Sequence, residues 1–244
     1  MSVLVKLCGL RDADDARAAV RAGADQVGIV CVPGAGRYVA VPTVAGMVRA
    51  VREEAQLLGR FAPAVIAVLG RVSAKELLQV VELTMVDGVQ LVGDEDQARS
   101  LAGALREAHP TVSVTRTLGV GHPDCVPVLL DVADHWEARG ARIVFDAALP
   151  GALGGTGVRL AMEVVRPLMT PRRGLAGGLE PENVALAIRD LHPGLVDVSS
   201  GIEDDDGAND LLLMQAFVAA ARAALLEPLP PDQPPAPPPA GRTV

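Results

Sequence analysis

The sequence predicts a parallel (β/α)8 barrel in a single domain, and three observations carry that prediction. Short apolar runs and amphipathic stretches alternate eight times along the chain with short connectors. Such alternation builds a parallel sheet covered by helices, and eight complete units favour closure over an open sheet. The chain has 244 residues and is 50% hydrophobic, enough for one large core and close to the ~250 residues usual for this barrel. The last two strands end in small residues, Gly177-Gly178 and Ser199-Ser200-Gly201, where the fold commonly places ligand loops.

The elements follow in order. Residues 3–7 are a β-branched run ending at Cys8-Gly9, and Asp12 can cap a helix with Ala16, Ala19 and Val20 at helical spacing. Residues 26–32 form the second strand. The loop Pro33-Gly34-Ala35-Gly36 leads to Arg37-Tyr38-Val39, and Pro42 opens the second helix. Strand 63–69 with helix 74–81, strand 86–91 with helix 96–108, and strand 111–118 with helix 126–139 make the next three units. Strand 142–147 ends near Asp146 and runs into the glycine-rich loop 151–157, with a helix at 159–168. Strand 174–177 with helix 181–191, and strand 196–199 with helix 209–225, complete the series. The barrel domain is thus residues 1–226. Eight of the 19 prolines fall between Pro228 and Pro239, so residues 227–244 are expected to be a disordered or extended tail.

Composition narrows the partners. The formal net charge is −8 and no basic cluster is interleaved with aromatics, which argues against nucleic acid. Aromatics are only 2%, so Val, Leu, Ile and Ala must fill the core. Cys8, Cys31 and Cys125 match no disulfide or zinc spacing, and the four histidines are scattered, so no metal site is expected. Neither a signal peptide nor a membrane span is visible, and a reducing cytoplasm is the expected compartment.

Catalytic groups of such barrels lie at the C-terminal strand ends. Those positions hold Cys8, Arg37 in its loop, Gln90, Arg116, Asp146, the loop from Gly154 to Gly157, Gly178 and Ser200. A thiol and a carboxyl on separate strands, facing one pocket, can divide base and acid work. Free cysteines are more often small buried hydrophobes, which is the reading for Cys31 and Cys125. Asp146 follows Ile143-Val144-Phe145, where a carboxylate is costly to bury without a purpose. Glycine at a strand end lets a ligand reach the backbone, and free N–H groups there suit a phosphate.

These patches together resemble the phosphoribosylanthranilate isomerase family. Lys6-Leu7-Cys8-Gly9-Leu10 is similar to its opening motif, with Gly23-Ala24-Asp25 following; Arg37-Tyr38-Val39 is similar to its substrate-loop arginine motif, and Val89-Gln90-Leu91 to the end of its fourth strand. Asp146 with Gly154-Gly155-Thr156-Gly157 resembles its acid and glycine loop, and residues 175–184 and 196–203 are the nearest matches. The resemblance implies an Amadori rearrangement of a phosphoribosyl amine in tryptophan biosynthesis, with Asp146 as acid and Cys8 as base. It implies Arg37, Gln90 and Arg116 as substrate contacts. Gly154, Gly155, Gly177, Gly178, Ser199, Ser200 and Gly201 would receive the phosphate. No metal or organic cofactor is implied. The expected partner is a small phosphorylated substrate, the protein being a monomer or homodimer.

The chain departs from the family pattern at Ala35-Gly36 before the arginine, at Val92 in place of a histidine, and at Arg159-Leu160-Ala161 after the glycine loop. Arg116 stands where a lysine is usual, and Ile29, Cys31 and Leu69 replace phenylalanines. The departures fall on the parts that would grip an aromatic ring. Two alternatives therefore stay open: a divergent relative acting on another phosphoribosyl or amino-sugar phosphate, and a non-catalytic phosphosugar-binding protein.

Overall fold

The computed structural model describes residues 3–147 and 162–225. Eight parallel strands close into a barrel in chain order. They are β1 (Leu4–Cys8), β2 (Gln26–Val30), β3 (Ala64–Leu69), β4 (Gly88–Leu91), β5 (Ser113–Gly119), β6 (Arg142–Asp146), β7 (Gly174–Ala176) and β8 (Leu195–Val198). Closure is made by β8 pairing back on β1, with Leu4 opposite Leu195 and Lys6 opposite Asp197. The helices of the described residues are α1 (Ala13–Ala22), α2 (Val41–Leu57), α3 (Ala74–Thr84), α4 (Glu95–Ala108), α5 (Val126–Glu137), α6 (Val184–Leu191) and α7 (Leu211–Ala223). In the sixth crossover, residues 162–165 are helical and the 3-10 turn Arg166–Leu168 follows. The glycine-rich loop 151–157, the start of that helix and the tail 227–244 lie outside the described residues.

Local chemistry sets the helix ends. Asp12 caps α1 by accepting from the N–H groups of Asp14 and Asp15, and Gly23 at φ +88° closes it. Ser73 and Glu76 make a reciprocal capping box on α3. α6 begins at Val184 rather than at Pro181. Asn183 accepts from the Glu180 N–H and donates to the Gly178 carbonyl, which holds 180–183 in a turn. α7 begins after Asp210, whose carboxylate caps it. Asn209 is drawn away instead, donating to the Gly9 carbonyl and to Asp15.

Side chains alternate across each strand, so the barrel has two distinct interiors. Val5, Leu7, Val27 and Ile29 face the helices and join the large sheet–helix core. Inside the barrel, Val144, Ala176 and Leu195 form a small apolar cluster with Leu4 against it. Above that cluster the filling turns polar: Lys6, Gln90 and Asp197 are all buried there. Gly174 keeps the apolar layer compact, since a Cβ would come within 2.9 Å of Val144 and 3.0 Å of Leu195.

Candidate active site

A cavity of about 320 Å³ opens at the C-terminal end of the barrel. Cys8, the last residue of β1, and Asp146, the last of β6, both line it. Gln90 and Thr117 line it from β4 and β5, and Asp197 from β8. One rim is made by Gly177 and Gly178 after β7 and by Ser199 and Ser200 after β8. Gly177 at φ +91° and Gly178 at φ +62° adopt backbone that L side chains rarely take. Val68, Val92 and Leu179 supply the apolar wall. A roomier hollow of about 510 Å³ lies beside Leu4, Arg142 and Gly194, at the opposite face; neither Cys8 nor Asp146 lines it.

The expected site residues fall into five groups. The cavity brings together Cys8, Gln90, Asp146, Gly177, Gly178, Ser199 and Ser200. Gly201 stands behind the rim, where a Cβ would strike the Leu179 carbonyl, so its lack of a side chain lets the β7 and β8 loops meet. Gly154 and Gly155 lie outside the described residues.

Arg116 does not line the cavity. Inward positions of β5 are Thr115 and Thr117, so Arg116 points out toward α4. It is buried, and donates to the carbonyls of Leu91 at 3.0 Å and Gly93 at 2.7 Å and to Glu95 at 3.3 Å. A buried guanidinium needs those acceptors, so Arg116 ties β5 to the β4–α4 turn while Thr117 takes the cavity wall.

Arg37 sits beside the mouth, packed over Gly9, where a Cβ would be 2.7 Å from its Cδ. Its fork is closed on Glu203, with Nε at 2.7 Å and Nη2 at 2.6 Å from the two carboxylate oxygens. Arg11 adds a second contact to Glu203 at 3.0 Å. The Arg37 guanidinium holds the Glu203 carboxyl below its ordinary range, with burial opposing. Among the described residues, Nη1 of Arg37 has no hydrogen bond.

Lys6 and Asp197 are site residues that the strand-end reading misses. Lys6 donates to Asp197 Oδ2 and to Gln90 Oε1, both at 2.7 Å. The signal was available: a charged residue two positions before Cys8 in an apolar strand must share its inward face. Asp197 gives the same signal inside Val196-Asp197-Val198. Among the described residues, Asp197 Oδ1 and Thr117 Oγ1 are buried atoms without a hydrogen-bond partner, and both residues line the cavity. Buried polar atoms are rarely left unpaired, so these two suit ligand hydroxyls. Burial, with Asp197 reinforcing it, pushes the Cys8 thiol above its ordinary value, while Lys6 and the Gly9 backbone oppose.

A thiol and a carboxyl converging at the C-terminal mouth of a (β/α)8 barrel, beside a rim of glycines and serines, are the arrangement of a barrel enzyme. Comparison with known proteins makes this particular. Residues 5–220 match the family described as N-(5'phosphoribosyl)anthranilate (PRA) isomerase, and the chain belongs to that family. The N-(5'-phosphoribosyl)anthranilate isomerase of Thiobacillus denitrificans is 34% identical over 224 residues, covering 92% of this chain and 100% of that one. The phosphoribosyl anthranilate isomerase structure from Thermotoga maritima has a TM-score of 0.71 at 26% identity, covering 91% of this chain and 100% of that one. A further isomerase structure, described as a complex with reduced 1-(o-carboxyphenylamino)-1-deoxyribulose 5-phosphate, has a TM-score of 0.65 at 26% identity with the same coverage.

Proposed function

We propose that this protein isomerises N-(5-phosphoribosyl)anthranilate to 1-(2-carboxyphenylamino)-1-deoxyribulose 5-phosphate, an Amadori rearrangement in tryptophan biosynthesis. The observation that carries the reading is the convergence of Cys8 and Asp146 on one cavity edged by the β7 and β8 loops. Asp146, protonated, gives its proton to the ribose ring oxygen as the C1–O bond breaks, leaving an iminium. The Cys8 thiolate takes the proton from C2, whose electron pair forms the C1–C2 double bond while the C1–N π pair returns to nitrogen, giving an enolamine. A proton then adds at C1, the C2 hydroxyl loses its own, and the ketone results. The substrate phosphate rests on the N–H and hydroxyl groups of Gly177, Gly178, Ser199 and Ser200, as negative charge favours such backbone. Arg37 meets the aglycone carboxylate through Nη1 while Glu203 holds its other edge. Three free thiols support the cytoplasm as the compartment.

Steady-state turnover of authentic phosphoribosylanthranilate, with complementation of a tryptophan auxotroph lacking this isomerase, tests the reading. Growth without tryptophan, lost in Cys8→Ser, is the expected result; absence of product from the authentic substrate overturns it. The closed Arg37–Glu203 fork favours one second reading, an isomerase for a phosphoribosyl amine with a different aglycone. Preferential turnover of a substrate lacking the carboxylate would select it.

A further inference from the structure

Lys6 is fixed in place by groups from across the barrel. It is 1% exposed, and its ammonium is held by Asp197 from β8 and Gln90 from β4 at 2.7 Å each. Cys8 follows on the same inward face of β1. Gly28 on β2 is the register partner of Cys8. A Cβ there would run into Cys8 Sγ and lie 3.0 Å from Lys6 Cε, so the thiol and the lysine stem share the space that a side chain at 28 would fill.

We propose that Lys6 is a positioning residue for the base: anchored by Asp197 and Gln90, its ammonium is the fixed positive charge against which the Cys8 thiolate forms. This rests on reading Cys8 as the base. Among the described residues, the charged groups around the thiol are few. Lys6 comes from its own strand and Asp197 from β8, Asp146 lines the same cavity from β6, and Arg37 stands at the mouth with Glu203 against it. Burial alone would pull the Lys6 ammonium down, but Asp197 and Cys8 together hold it above its ordinary value. Its charge is therefore permanent at working pH. Asp197 has two opposed effects: it keeps Lys6 charged, and it repels a thiolate beside it.

That opposition separates the proposal from a purely structural ion pair. The test is the pH dependence of Cys8 alkylation by iodoacetamide on the intact protein. Peptide mass spectrometry reads Cys8 apart from Cys31 and Cys125. Lys6→Met should move the Cys8 midpoint up by about one pH unit or more, slowing alkylation at neutral pH by roughly tenfold. Asp197→Asn should move it down, because the thiolate takes over the ammonium that the carboxylate releases. Lys6→Gln should repeat the upward shift if Lys6→Met does not fold. An unchanged midpoint in the Lys6 variant, or shifts of the same sign in both variants, overturns the proposal. Alkylation needs no substrate. An inactive wild type therefore sinks the isomerase reading alone, and an active wild type with an unmoved midpoint sinks this inference alone.

Discussion

Gly28→Ala adds one methyl group at the point where β1 and β2 share their inward space. The new Cβ would run into Cys8 Sγ and lie 3.0 Å from Lys6 Cε and 3.1 Å from Cys8 Cβ. Neither neighbour can yield freely, since Lys6 is tied to Asp197 and Gln90 and the Cys8 Cβ is fixed to its strand. Overpacking of this kind costs about 1–3 kcal/mol, while alanine in a strand recovers roughly 0.5–1 kcal/mol relative to glycine. The net is a loss centred on about 1 kcal/mol and reaching about 2.5 kcal/mol, or a fall in Tm of up to roughly 10 °C for a domain this size. Displacing the thiol by about 1 Å should also cut kcat by up to about a hundredfold. Thermal denaturation and steady-state kinetics read both effects. The same swap at Gly103 in α4, where a Cβ meets nothing within 4 Å, should instead stabilise by roughly 0.5–1 kcal/mol. Unchanged Tm and kcat in the Gly28→Ala protein would mean that the space between β1 and β2 is not filled there.

Asp146→Asn should abolish turnover of every substrate while leaving product affinity nearly intact, read by kinetics beside a binding titration; comparable turnover would remove Asp146 as the acid. Gly178→Asp should weaken phosphate and product binding by charge repulsion. Among the described residues nothing lies within 4 Å of a Cβ there, and the φ of +62° is one that aspartate tolerates better than most residues, so equal titration by wild type and variant would place the phosphate elsewhere. Glu203→Gln should lower Tm at neutral pH. Arg37 depresses the Glu203 pKa below its ordinary 4.5, so the stabilisation is full above that value and fades as pH falls through the folded one. A Tm difference that persists undiminished in strong acid would contradict this linkage.

Local pattern alone carries the eight-unit order and the strand-end positions of Cys8, Asp146, Gly177, Gly178, Ser199 and Ser200. These follow from local periodicity, from glycine at turns and from the rule that such barrels work at one end. A polar residue within an apolar strand could have exposed Lys6 and Asp197 as well, since period-two alternation puts Lys6 and Cys8 on one face. Alternation on β5 likewise sets Arg116 against Thr115 and Thr117. Partnership, by contrast, comes only with the closed barrel. Lys6 meets Asp197 because β8 closes on β1 in the register Lys6 to Asp197, and it meets Gln90 because the barrel is narrow enough for one lysine to span. Glu203 closes on Arg37 across 166 positions of chain, a pairing no local pattern encodes. Barrel closure brings residues from distant strands into van der Waals range, and charges buried at that range must find partners there rather than in water.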